Sequence, residues 1–361
     1  MYASTKSVSS GSAVTVAIDL AKDVFELAFG NADFRIVERK RLSRAAFAGC
    51  LSNRAPLDVV MEACGSAHHW ARVFVRVGHR VRLLPAQYAR AYVHRNKTDR
   101  ADAAGLLEAA RCGAIRPVPI KSALQQGTQG LHRVREFHKA QRTAAINLAR
   151  GLLREFGIAI PLGAAKVRPA VLAALEAADN ELPMALRHAL AAVLDEIQSC
   201  EKAMAAIEQA LTEIARNDIR CLRLMQAGGV GLLTATAMSA GLGDLARFPS
   251  GRHLASALGL TPREYSSGNT RKLGRIGKQG DVYVRTLLIH GARSNLLQAA
   301  LRRKRGQPLD RTQQWALALA EKKGHNKAAV ALANKTARRL WAAEHHGASF
   351  NPDHVSRRSA A

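Results

Sequence analysis

The sequence predicts an α/β domain built on a mixed, helix-covered sheet, followed by a helical coiled-coil middle and a mainly helical C-terminal domain. Three observations carry this expectation. Short β-branched apolar runs alternate with helical stretches from Val14 to about Ile120. From Lys121 to Leu224 apolar residues recur at spacings of three and four, the period of an amphipathic helix. Beyond residue 224, glycine- and proline-marked connections separate further helical runs. A chain of 361 residues exceeds one ordinary core and suggests two or three domains.

The elements follow in order. Residues 1–12 are rich in Ser and Gly and read as disordered. Val14-Thr15-Val16-Ala17-Ile18-Asp19 is a β-branched strand; Val24–Phe29 and Phe34–Val37 continue it as a meander turning at Gly30-Asn31. A helix around Arg44–Leu51 leads to a fourth strand, Leu57–Glu62. A helix near His68–Val77 stops at Gly78, and a fifth strand, Arg80–Leu84, ends at Pro85. In the middle region Leu131–Phe156 and Ala185–Ile214 form long helices, with Leu190, Leu194, Ile197, Met204 and Leu211 on one stripe, an antiparallel hairpin or coiled coil. Pro161, Pro169 and Pro183 interrupt it and predict an elaborated tip. The expected boundaries are 13–120, 121–224 and 225–344, with a loose tail over 345–361.

Charge limits the partners. Lys and Arg total 54 against 28 Asp and Glu, a net charge of +26, which points to a polyanion. Residues 225–361 hold 22 basic and 7 acidic side chains, more than half of the excess. No apolar run reaches the length of about 18 residues that a membrane span needs, and no apolar signal core opens the chain. A cytoplasmic protein without a membrane partner is expected. Cys50, Cys64, Cys112, Cys200 and Cys221 are scattered singly, which argues against a disulfide framework or a zinc knuckle. Aromatic residues are only 5%, so contacts to a nucleic-acid backbone are expected over rows of stacking rings.

Three constellations could carry chemistry. Asp19 and Glu62 end apolar strands, and Asp99 and Asp102 sit three apart at the start of a helix. Singly, each is more often a cap or loop residue. Together, two strand-end carboxylates and two from a helix on the sheet give an oxygen-rich pocket suited to Mg²⁺ or Mn²⁺ and a ribonuclease-H-like signal. The second constellation is Gly229-Val230-Gly231, whose turn could present backbone N–H groups to a phosphate as in a helix-hairpin-helix; a plain glycine connection is as common. The third is Tyr265-Ser266-Ser267-Gly268-Asn269, set among Arg263, Arg271, Lys272, Arg275, Lys278, Arg285 and Arg293. Guanidinium groups can clamp a phosphate beside a serine nucleophile, although such a loop is usually only surface. His68-His69 and His345-His346 read as surface or partly buried histidines, and the run Arg302–Arg305 as a solvated helix end.

Asp19 in VAIDLAKDVFELA, Glu62 in VVMEACGS, the NKTDRADA stretch with Asp99 and Asp102, and GLTPREYSSGNTRKLGRIGKQGDVYVRTLLIHGAR together resemble the DEDD-type insertion-sequence transposases. That family includes related DNA invertases and bridge-RNA-guided recombinases, and the resemblance runs from about Val14 to Leu340. It implies a RuvC-like nuclease domain whose Asp19, Glu62, Asp99 and Asp102 bind divalent metal. It implies a coiled coil used in dimer or tetramer assembly. It also implies a catalytic serine immediately before a glycine, which maps to Ser267 with Ser266 adjacent, acting on DNA in a site shared between subunits. A noncoding guide RNA that pairs with target and donor DNA is implied too.

The expected function is therefore a DNA transposase or recombinase, RNA-guided, that cuts and rejoins strands through a serine-linked intermediate. Three rivals stay open. One is an invertase of the same family, another a metal nuclease resolving branched DNA by water attack, and the third a non-enzymatic nucleic-acid binder whose acids are caps.

Overall fold

The computed structural model describes residues 13–92 and 98–354. Residues 1–12, Asn96, Lys97 and the end of the tail lie outside the described residues. The chain forms two compact units, Met1–Leu124 and Gln125–Ala361.

In the first unit β1 (Thr15–Leu20), β2 (Val24–Gly30) and β3 (Ile36–Ser43) make an antiparallel meander. β4 (Asp58–Glu62) and β5 (Arg80–Leu84) add in parallel, for the order β3-β2-β1-β4-β5. β3 starts two residues later than the apolar pattern suggests and continues to Ser43. It is an edge strand carrying Glu38, Arg39, Lys40 and Arg41, so it has no clean alternation, and its charges discourage further edge pairing. Phe34 instead takes φ 59° in the turn, where Asn31 Oδ1 accepts from the Asp33 and Arg35 amides.

Strand alternation sorts the sheet into two faces. Val16, Ile18, Val59 and Met61 meet Phe47 of α1 (Arg44–Ala48) and Trp70 and Phe74 of α2 (Ala67–Arg76). Phe25 and Phe47 stack at 4.0 Å, with Trp70 edge-on to both. Ala17 and Val60 face the other way. After the short α3 (Ala86–Ala89), α4 (Asp99–Arg111) lays Leu106, Leu107 and Ala110 on that second face. The crossing is close: a Cβ on Gly30 would lie 3.0 Å from Leu107 Cδ2.

The second unit is mostly helical. α5 (Ala123–Glu155), which starts at the end of the first unit, and α7 (Met184–Arg216) form a hairpin. Its antiparallel sense shows in two ion pairs, Arg135 with Glu208 at 2.7 Å and Arg142 with Glu201 at 3.4 Å. Ile146, Ala149 and Leu153 pack against Leu190, Leu194 and Ile197 toward the tip. There α6 (Val167–Glu176) closes the hairpin, with Pro169 inside its first turn, where a helix has no use for that amide N–H. Pro169 therefore does not interrupt the chain as expected. Arg187 donates to the carbonyls of Ala174, Leu175 and Ala177, covering the orphan acceptors at the end of α6.

Beyond the hairpin, α8 (Ile219–Leu224) and α9 (Leu232–Leu242) enter a second core, and α9 is buried from Thr234 to Ala240. α10 (Gly251–Ala257) precedes a two-stranded ribbon, β6 (Pro262–Glu264) and β7 (Leu273–Ile276). The ribbon replaces the flexible loop expected there. α11 (Val282–Lys304), α12 (Arg311–Lys323) and α13 (His325–His345) complete the unit.

His132 joins three of these helices. Thr236 Oγ1 donates to Leu232 O at 2.7 Å, so it accepts from His132 Nε2, leaving Nδ1 to accept the Tyr283 hydroxyl, each at 3.0 Å. Burial of this neutral ring brings its pKa down from 6.5 to about 4. Between those values the unfolded chain takes up a proton that the folded chain refuses. His132 should therefore withdraw up to about 3 kcal/mol of stability as pH falls from 6.5 through 4. His132→Gln should flatten that part of the pH profile, read as the difference in thermal midpoint between wild type and variant. Equal slopes in the two proteins would refute the role.

Candidate functional site

Alternation along β1 and β4 sets the acidic site. Asp19 shares the face of Ala17, and Glu62 that of Val60, so both carboxylates lie at strand ends on the side covered by α4. α4 begins with Thr98 as its cap, Oγ1 accepting from the Ala101 amide at 3.2 Å. Asp99 and Asp102 fall in the first turn, so the cap reading of Asp99 does not hold. Oxygen atoms of Asp19, Asp99 and Asp102 all come within 4.8 Å of one another. Glu62 is outside that group, at the end of the neighbouring strand on the same face of the sheet. Burial, then the charges of Glu62 and Asp19, push the Cys64 pKa up. Three converging carboxylates are hard oxygen donors, and this donor set fits a divalent cation such as Mg²⁺ or Mn²⁺. A structural role accounts for part of the pattern, since acids in the first turn favour the helix dipole. It does not account for Asp19 meeting them.

The basic site is the β6–β7 ribbon. Ser267 and Thr270 exchange both backbone hydrogen bonds, at 3.2 and 3.1 Å, around a two-residue turn with Gly268 at φ 52°. The two serines differ in their partners. Ser266 Oγ donates to Glu264 Oε1 at 2.7 Å and accepts from the Lys272 amide. Among the described residues Ser267 Oγ has no hydrogen-bond partner, and Ser267 is exposed. Glu264 also pairs with Arg271 at 3.3 Å, and its carboxyl is held below the usual range by the Ser266 hydrogen bond first and Arg271 second. Arg263, Lys272, Arg275 and Lys278 are exposed around the ribbon.

Arg285 does not belong to that exposed set. It is 6% exposed, and its Nη1 donates to Leu258 O at 3.0 Å and Gln279 O at 2.6 Å, tying the two ends of the ribbon together. The expectation that Arg285 contacts nucleic acid is corrected: burial and two internal acceptors occupy it. Two glycines make the same junction possible. A Cβ on Gly280, at φ 73°, would lie 1.8 Å from Ala257 O, and one on Gly259 would meet the Gln279 backbone at 2.5 Å. Gly229 is likewise structural, since a Cβ there would lie 2.6 Å from Gly291 O in α11. Its packing against that helix explains the glycine without a phosphate. Gly231 stands at the N-terminus of α9 with open space beside it.

Comparisons with known proteins follow the same division. A profile described as "Transposase" matches residues 16–158, which hold all four acids, and one described as "Transposase IS116/IS110/IS902 family" matches 221–307, which hold the ribbon. A probable family 20 transposase of Pseudomonas aeruginosa is 40% identical over 91% of this chain and 95% of its own length. The chain belongs to the IS116/IS110/IS902 transposase family. A transposase for insertion sequence element IS1111A of Coxiella burnetii is 37% identical over 90% of this chain and 88% of its own. A transposase for insertion sequence element IS1328 of Yersinia enterocolitica is 32% identical over 93% and 98%. As an insertion-sequence transposase the protein is an enzyme whose substrate is DNA. Among the described residues no helix is long and apolar enough to cross a membrane.

Two parts of this transposase's sites escaped the sequence reading: the Glu264–Ser266 contact and the Arg285 clamp. Both depend on strand pairing in a segment that has only three- and four-residue strands. The glycines at 259, 277 and 280 were the available signal for a ribbon base.

If the three carboxylates form a cation site, titration calorimetry with Mn²⁺ alone should show binding that Asp102→Asn weakens about tenfold or more. An Asp102 that only favours the helix dipole would lower the melting temperature and leave Mn²⁺ binding intact. For the clamp, Arg285→Ala should cost about 2–3 kcal/mol of stability, because a buried carbonyl and a partly buried one lose a charged donor. A phosphate contact would instead change the salt dependence of DNA binding and leave the denaturation midpoint unmoved.

Proposed function

We propose that this transposase cuts and rejoins DNA through Ser267, with the Asp19, Glu62, Asp99 and Asp102 carboxylates as its divalent-metal site on a ribonuclease-H-like, RuvC-like first unit. The strand order β3-β2-β1-β4-β5, with an antiparallel meander and two added parallel strands, supports that fold. The observation that carries the reading is the contrast at the ribbon turn. Ser266 is held by Glu264, while Ser267 presents an unpartnered hydroxyl among exposed arginines and lysines.

Ser267 Oγ would attack a backbone phosphorus, forming an Oγ–P bond as the P–O bond to the leaving strand breaks and that oxygen gains a proton. The ester keeps the bond energy, so a strand hydroxyl can reverse the step without ATP. Arg263, Arg275 and Lys278 would hold the phosphate and offset charge as it develops. A bound divalent cation supplies a Lewis acid for the phosphate and leaving oxygen. The carboxylates would place it, with Asp19 and Glu62 fixed by the sheet and Asp99 and Asp102 by α4. Ser267 and the acids of different subunits would combine in a homo-oligomer. A noncoding guide RNA would read target and donor DNA by base pairing, leaving the protein mainly backbone contacts, in keeping with +26 net charge and few aromatics.

The three-carboxylate cluster also suits a second reading, metal-dependent hydrolysis by water attack. Denaturing electrophoresis of end-labelled donor DNA incubated with the protein separates the two. Wild type should leave a covalent protein–DNA adduct, Ser267→Ala none, and Ser266→Ala a detectable amount. Cleavage by wild type without an adduct would establish hydrolysis, and an adduct surviving in Ser267→Ala alone would move the nucleophile to Ser266. A structured RNA that co-purifies with the protein and is needed for strand joining tests the guide.

A further inference from the structure

A strongly basic concave surface of the second unit lies away from the ribbon tip. A groove of about 1470 Å³ runs between α10, α12 and α13 and reaches the β7 side of the ribbon. That exceeds the about 300–1,000 Å³ of a small-ligand cleft. Seven cations line it and no carboxylate does. One of the seven, Arg339, is used internally: it bonds Thr312 and the Asn351 carbonyl and lies over the Phe350 ring. The other six are Arg252, Arg275, Arg311, Lys327, Lys335 and Arg338, and among the described residues none forms an ion pair with a carboxylate.

Elsewhere Arg54, Arg80, Arg135, Arg216 and Arg303 lie within 4.0 Å of an acid; the groove differs from those sites in gathering several cations without an ion pair on one concave surface that no carboxylate lines. Lys327, Lys335 and Arg338 recur on one stripe of α13 at spacings of eight and three. Like charges so gathered repel one another. Burial first, then Arg339, Arg311 and Arg338, lower the Lys335 pKa. Such a surface is costly to the free protein and suits a ligand with several negative charges in a row.

Trp315 narrows the kind of ligand. It stands in the groove wall, 36% exposed, with Lys335 Nζ 4.1 Å from its ring centre. Trp341 also lines the groove, but its Nε1 donates to Phe248 O and its ring stacks on His345 at 4.5 Å. Trp315 thus offers an apolar ring beside a run of cations. A duplex keeps its bases stacked inside and gives that ring little to contact, whereas an unpaired strand offers phosphates and a free base face together.

We propose that this groove holds an unpaired stretch of nucleic acid, with its phosphates on Arg252, Arg311, Lys327, Lys335 and Arg338, Arg275 at its ribbon end being left to the Ser267 site, and with one base against Trp315. The inference rests on the nucleic-acid reading above and assigns to this groove a role separate from the strand chemistry at Ser267. RNA and DNA share the recognised chemistry, and the two arms of the test tell them apart.

The experiment is fluorescence anisotropy with the full chain and labelled probes: a 12-nucleotide uridine strand, a 12-nucleotide thymidine strand and a 12-base-pair mixed-sequence duplex. Lys327→Ala/Lys335→Ala/Arg338→Ala should weaken single-strand binding at least about tenfold. It should also shrink the slope of log affinity against log salt by about 2, from roughly 0.7 per phosphate contact. Arg302→Ala/Lys304→Ala/Arg305→Ala removes as many charges outside the groove and should change single-strand affinity less than about threefold on the same reasoning. Trp315→Leu should weaken the single strands about tenfold and leave the duplex unchanged.

Equal losses in the two triple variants, or a Trp315→Leu loss that falls equally on duplex and single strands, would overturn the proposal. Tighter binding of uridine or thymidine strands names the natural ligand as RNA or DNA, and either supports it. Melting temperatures are compared first; should Trp315→Leu not fold, the triple variants carry the decision, their exchanges lying at exposed or half-buried positions. Ser267→Ala should bind single strands as wild type does. A wild type that binds single strands in the groove but leaves no adduct therefore counts against the serine mechanism alone, and an adduct formed without groove binding counts against the groove alone.

Discussion

β1 and β4 lie parallel with Val16 opposite Val59 and Ile18 opposite Met61, and the arrangement of the acidic site follows from that register. Because side chains alternate with period two, a slip of one residue would turn Glu62 to the face of Phe47 and Trp70, into an aromatic core with no partner for a charge. Burial of Val59 and Met61 under α2 is thus what keeps Glu62 on the α4 side. α4 is positioned by the same sheet, through Leu106 and Leu107 on Ala17 and Val60 and the close crossing at Gly30. The apolar packing and the placing of the carboxylates are one constraint.

Much of the first unit could be read in advance for that reason. Its strands are short β-branched runs, and the positions of Asp19 and Glu62 at their ends follow from pattern alone. The pairing order, and the approach of Asp102 to Asp19, could not, since the two residues are far apart in sequence and meet only through α4 crossing the sheet. The third strand was expected, but its run to Ser43 was not legible, because an edge strand needs no apolar face. In the helical hairpin the stripe of Leu190, Leu194 and Ile197 was legible, and its partner positions on α5 become visible through the ion pairs that set their direction.

The ribbon shows why local pattern fails elsewhere. Its strands are exposed on nearly every residue, so hydrophobic alternation has nothing to report. What holds it is at its base, where Gly259 and Gly280 permit backbone contact that any side chain would block and Arg285 bonds carbonyls on both sides. A dense basic stretch therefore contains two kinds of arginine. Arg275 is exposed and without an ion pair; Arg285 is buried and satisfied. Sequence shows the same residue type for both, and burial alone separates a scaffold cation from one open to a ligand.

That separation changes what the net charge of +26 means. Cations that meet carboxylates are neutralised and give little field at a distance, while a cation held by carbonyls, such as Arg285, keeps its charge but is closed to a ligand. The positive potential available to a polyanion comes from the remainder, and these are concentrated in the second unit, at the ribbon and in the groove lined by α13. Phosphates there would release condensed counterions, a gain that grows with each unpaired cation and falls with salt. The first unit has the opposite requirement. Its carboxylates gather negative charge on a basic protein, which favours cations over phosphates at that place. On the function proposed above, attraction at the cations of the second unit and metal binding at the carboxylates of the first would put binding and cleavage under separate electrostatic control.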